Sequence, residues 1–313
     1  MKKLPQLPRD LIDAYSSRRG VKTRIANILN KEFAKTKRGK KYQLLKTLIK
    51  YHCDFDLRIL TPDKICELVG EVRKIYPDLE RQSYKALCKS LAKGFSFSSA
   101  MAWMKSFKRM PIIYSSVRFC PYCNADTVYA IKVNGRHVRS DLDHFFPKDK
   151  YPFLATSLYN LIPSCSRCNS PIKYNRDIDQ DSMSMPYADD VDDNAHFDLI
   201  IRDMGGFGGD CSSGAYGVRC FPSTRGVGST KAVAFVRFFG LEKLYANIFV
   251  PEICDLMRRI RLSASLYPLT LIQKRIGVFS LLWHDIPIAR DINLCRLGKF
   301  KRDILKQFGV SCC

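Results

Sequence analysis

Long apolar runs are missing from this chain. The longest, IGVFSLLW, is eight residues, against the roughly 20 that a membrane-crossing helix needs. The amino terminus, MKKLPQLPRD, carries basic residues with no apolar stretch behind them, so it does not read as an export signal. Acids are also scarce: 30 Asp and Glu stand against 52 Lys and Arg, a formal net charge of +22. The Gly-rich stretch GGFGGDCSSGAYG lacks the G-K-[ST] ending of a phosphate-cradling loop. The acidic tract DIDQDSMSMPYADDVDD lacks EF-hand spacing and reads as a solvated or charge-balancing loop. No repeat, heptad array or low-complexity tract is visible. The expectation is a soluble, cytoplasmic protein with no membrane partner.

What is present in excess is positive charge. Residues 1–50 hold 15 Lys and Arg against Asp10, Asp13 and Glu32, a net of +12. Each phosphate neutralised by a cationic side chain releases condensed counterions, so a surplus of this size points to nucleic acid, DNA or RNA. Lys37, Arg38, Lys40 and Lys41 lie between two helical patterns and are candidate phosphate contacts. With no base-reading motif beside them, they would supply affinity rather than sequence choice.

Thirteen cysteines without an export signal are expected to stay reduced. Four stand as two C-x2-C pairs, Cys120/Cys123 and Cys165/Cys168, separated by 41 residues. Each pair offers two sulfurs from one tight knuckle, and four thiolates make a closed tetrahedral zinc site with a structural role. Between the pairs lie residues suited to phosphodiester hydrolysis. His144 can take a proton from water near neutral pH, and Asp143 is a hard ligand for a divalent cation. Neighbours on a strand point to opposite faces, so serving one site requires the pair to sit at a strand end or bend. Asn169 can add an amide to the metal shell, and Asn160 can brace the loop. Lys173 and Arg176 are further phosphate-contact candidates.

The order C-x2-C, hairpin, D-H-x-x-P, Y-N-L, C-x2-C-N and then Lys173 resembles the HNH endonucleases of the ββα-metal superfamily, over roughly residues 120–175. The resemblance implies His144 as the water-activating base, Asp143 and Asn169 as ligands of a catalytic Mg2+ or Mn2+, and Asn160 as the loop brace. Asn169 stands where the family's eponymous third residue is His. The helical segments after this stretch resemble those of nucleases in bacterial anti-phage systems, which implies a defence effector with an ATPase or other defence partner.

The expected architecture is α+β: a basic helical lobe over 1–110, a zinc-stapled ββα core over 111–177, and a mainly helical lobe over 178–313. TVYAIKV and RHVRSDLDHFF read as two strands joined at Asn134-Gly135, a strong hairpin signal. YPFLATSLYNLIP reads as a loop, and a helix is expected from Cys165 carrying Cys168 and Asn169. HFDLIIRD and GVRCFP read as strands around the Gly-rich tip. His137 reads as a surface strand residue, His52, His196 and His284 as packing or surface residues, and Tyr151 and Phe153 as core. The functional expectation is a metal-dependent endonuclease. The alternative is a non-catalytic zinc module that binds nucleic acid or scaffolds a partner.

Overall fold

A computed structural model describes residues 1–96, 110–115, 117–179, 182–208, 211, 214–265 and 292–310. IGVFSLLW, His284, Cys312 and Cys313 lie outside these residues. The chain divides into two compact units, Lys3–Val117 with Val128–Ala188, and Met1–Lys2 with Arg118–Thr127 and Asp189–Cys313. The fold is α+β, with helices and small antiparallel sheets. Among the described residues no helix is long and apolar enough to cross a membrane.

The first unit begins with helices α1 (Arg9–Ser16), α2 (Arg19–Ala34), α3 (Lys40–Phe55), α4 (Pro62–Ile75) and α5 (Gln82–Ala92). Their apolar residues recur at three- and four-residue steps, and α3 thereby buries Leu44, Leu45, Leu48 and Tyr51 on one stripe. Thr61 is extended and Pro62 opens α4, its fixed φ suiting the first helical turn. Arg58 is fully buried. Its guanidinium bonds both Asp56 oxygens and the carbonyls of Tyr15, Ser16 and Arg18, tying off the end of α1.

After the short helix α6 (Met110–Ser115) come four strands in two separate pairs. Strands β1 (Ala130–Val133) and β2 (Arg136–Arg139) form the expected hairpin. Asn134 and Gly135 turn it with φ of 49° and 78°. Positive φ at both positions matches the right-handed twist of the flanking strands. The return strand stops at Arg139, however. Residues Asp141–His144 form a separate strand, β3, pairing antiparallel with β4 (Leu161–Ser164). The expected loop thus holds a strand that its Pro163 disguised: proline cannot donate to a ladder, but a two-stranded pair leaves one side of each strand unpaired.

A long regular helix does not follow Cys165. Cys168–Lys173 makes one wide turn with Pro171 inside it, a residue that lacks the N–H a longer helix needs.

The second unit is built on the seven-residue strands β5 (Ala195–Ile201) and β6 (Tyr216–Pro222), joined through the four-residue helix α7 (Met204–Phe207). Helices α8 (Val227–Phe238), α9 (Leu241–Ile248), α10 (Val250–Ser265) and α11 (Gly298–Gln307) also belong to its described residues. Side chains of α11 cover the open edge of β5. The Asp303 carboxylate accepts from Phe197 N at 3.0 Å, and the Gln307 amide exchanges two bonds with the Leu199 backbone. That removes a strand edge that would otherwise pair with another chain.

Candidate metal centre

The two knuckles form as the spacing predicts. In the first, Asn124 N donates to Cys120 O at 2.7 Å and Asn124 takes a φ of 52°, closing a tight turn. Tyr122 stacks on Phe239 at 4.3 Å and Tyr245 Oη donates to Cys123 O, which holds the knuckle rigid. In the second, Asn169 N donates to Cys165 O at 3.0 Å, just beyond the end of β4. All four sulfurs are buried and lie within 4.8 Å of one another. A zinc ion with Zn–S bonds of about 2.3 Å holds sulfurs about 3.8 Å apart, a spacing that falls within this limit. Four soft donors with no oxygen or nitrogen among them suit zinc in a closed, structural site.

Strands β3 and β4 position the remaining candidates. His144 is the terminal residue of β3, the strand-end position its sequence required. Its Nε2 lies 3.0 Å from Ala155 O. A carbonyl there accepts the ring proton, so the neutral tautomer carries its lone pair on Nδ1. Burial drives the imidazole pKa down to about 4, against the opposing pull of Ala155 O. The ring is therefore neutral at pH 7.

Asn160 is fully buried and joins β4 to the loop after β3. Its Oδ1 accepts from Phe146 N at 2.8 Å, and its Nδ2 donates to Phe146 O and Leu154 O, both at 3.1 Å. A side-chain amide can meet a backbone N–H and two carbonyls at once, which neither Asp nor Ser can do.

Asn169 and Lys173 hydrogen-bond the two carboxylates of β3. Asn169 Nδ2 donates to Asp141 Oδ2 at 3.1 Å. Lys173 is buried, and its Nζ donates to Asp143 Oδ1 at 3.0 Å and to His144 O at 2.6 Å. Burial lowers the lysine pKa, with Asp143 opposing the shift. Asp141 and Asp143 stand two residues apart and so share a face of β3. The i, i+2 spacing in DLDH carried that signal; the burial of Lys173 left none in the sequence.

Of the other basic candidates, Arg176 is exposed, with one guanidinium nitrogen on Ile172 O. Lys37 and Arg38 are exposed between α2 and α3 and Lys40 is exposed at the start of α3, while Lys41 pairs with Glu32 at 3.0 Å. His137 is exposed on β2, His52 packs against Lys22 O, and Tyr151 and Phe153 are fully buried.

Site and fold together define an α+β protein with a buried four-cysteine cluster fit for zinc. Over 79 residues, 25% of its length, the chain is 30% identical to the Septu protein PtuB of Bacillus thuringiensis. The match covers 28% of that protein, well under a third of its length. No protein-family model matches the chain, and no solved structure matches it.

Proposed function

We propose that the protein is an HNH-type endonuclease that hydrolyses phosphodiester bonds in nucleic acid, with DNA the favoured substrate, as an effector of a bacterial anti-phage system. The observation that carries the reading is His144. It is neutral, at the end of β3, with one ring nitrogen fixed on a carbonyl and the lone pair on the other. In the proposed reaction His144 Nδ1 takes a proton from the attacking water. Asn160 holds the loop after β3 in register, and Lys173 offsets the charge of Asp143.

Asp143 and Asn169 would hold a divalent cation, Mg2+ or Mn2+, with Asp141 beside them. The donor set fits a hard ion: the Asn169 Nδ2 is given to Asp141, which leaves its amide oxygen as the atom to offer a cation. When bound, such an ion supplies Lewis-acid stabilisation of the charge developing on phosphate. Arg176 and the cations Lys37, Arg38, Lys40 and Lys41 would contact phosphates; Lys173, expected from the sequence to join them, is buried against Asp143 and His144 O instead. The likeness to a Septu protein supports the defence role and a defence-system partner; an ATPase is the kind of partner proposed.

One observation favours a second reading, a non-catalytic zinc module that binds nucleic acid or scaffolds a partner. The buried Lys173 already neutralises Asp143, and a cation there must share the carboxylate with it. Incubating purified protein with plasmid and with total RNA separates the two readings. Cleavage with Mg2+ or Mn2+ that EDTA abolishes supports the enzyme. Intact nucleic acid under every metal condition, with retarded mobility on a gel, supports the binding module.

A further inference from the structure

The β1–β2 ribbon belongs to neither the four-cysteine cluster nor the β3–β4 pair. Its pairing register sorts its side chains onto two faces. Lys132, His137 and Arg139 fall on one face. Tyr129, Ile131, Val133 and Val138 fall on the other, together with Arg136, which lies opposite Val133 beside the turn. Nearly all of it is open to solvent: Ile131 is 52% exposed, Val133 44%, Tyr129 41% and Val138 39%. No acid occurs from Thr127 to Ser140. A lone two-stranded ribbon is only marginally stable, so its base must be held. Here α6 packs on β1, and Tyr114 Oη donates to Ser140 O at 2.8 Å and Asp141 O at 3.0 Å. That anchor places the ribbon one residue from β3, the strand that carries Asp143 and His144.

We propose that this ribbon is a duplex-binding arm, which enters a groove of double-stranded nucleic acid beside the β3–β4 site with Lys132, Arg136 and His137 on the phosphates. The charge argues for a polyanion. The shape argues for duplex DNA, because a two-stranded ribbon fits the major groove of B-form DNA, about 12 Å wide, and not the narrow major groove of an RNA duplex. Its exposed aliphatic side chains are of the kind that contact thymine methyl groups in that groove. The proposal rests on the nucleic-acid reading above, but binding without divalent cations tests it independently of cleavage.

The test compares wild type with the triple variant Lys132→Ala/Arg136→Ala/His137→Ala, whose three side chains are exposed and whose removal leaves the core intact. Anisotropy titrations use a labelled duplex and its single strand, without divalent metal, across about 50 to 200 mM salt. The expected result is a loss of duplex affinity of about tenfold and a salt slope shallower by about two, one unit for each formal cation removed. Single-strand affinity should fall far less. Unchanged duplex affinity and slope would overturn the proposal, as would an equal loss on both ligands. An Ile131→Lys variant covers the remaining occupant, a second copy of the chain. If wild type sediments as a dimer, Ile131→Lys as a monomer and duplex binding is kept, the ribbon is a self-association face and the proposal falls. Loss of duplex binding in the triple variant of a protein that cuts nothing would uphold the arm and remove the nuclease reading.

Discussion

Replacing Asn160 with alanine removes three hydrogen bonds at once from a fully buried position. Each is worth about 1 kcal/mol net, and the orphaned Phe146 N–H and carbonyls add desolvation cost, so the expected loss is about 3 to 5 kcal/mol. That is a large share of the roughly 5 to 15 kcal/mol that holds a domain folded. Urea unfolding followed by circular dichroism, with zinc present, reads it as a lower midpoint at unchanged slope. Asn160→Asp refines the test. It keeps the acceptor for Phe146 N but sets an anion against two carbonyls, which raises the carboxyl pKa in the folded state. Stability of that variant should therefore be greatest in acid and decline as pH rises through the raised pKa. A loss below about 1 kcal/mol for Asn160→Ala, as if water replaced the amide, would refute the bracing role.

Arg58→Leu leaves Asp56 buried without its main counter-charge and frees three carbonyls, so about 3 to 5 kcal/mol of stability should be lost, measured by the same unfolding assay. Burial lowers the pKa of His52 in the folded protein, so the unfolded chain binds the extra proton first as pH falls below about 6.5. Wild type should lose stability through that window, and His52→Gln should flatten the part of the loss due to this ring. Burial pushes the Cys88 and Cys220 thiols up to about 12, so iodoacetamide at mildly alkaline pH should label exposed Cys53 and spare both, as mass spectrometry of digests would show.

The sequence exposed whatever depends on local spacing. The C-x2-C knuckles and the Asn134-Gly135 turn each follow from a few adjacent residues, and each forms where expected. Strand partnership was less legible. RHVRSDLDHFF reads as one strand because every residue in it tolerates extended backbone, and only the pairing of Asp141–His144 with Leu161–Ser164 divides it. The division matters for function, because it separates an exposed basic ribbon from the strand that carries Asp143 and His144. Burial was legible for apolar residues and hidden for charged ones. Lys173 and Arg176 look alike in the sequence, yet one ammonium is buried against Asp143 while the other side chain is exposed. That difference comes from the wide turn at Pro171, which no local pattern announces.

The central claim is that one buried imidazole at the end of β3 activates water. It is tested most directly by single-turnover cleavage of a labelled duplex by wild type and His144→Ala, with Mg2+ or Mn2+ present and zinc content measured on both proteins. The account requires equal zinc, the same circular dichroism spectrum and cleavage reduced at least a hundredfold, the lower bound for a general base. Cleavage by His144→Ala at the wild-type rate, from protein with its zinc intact, would contradict it.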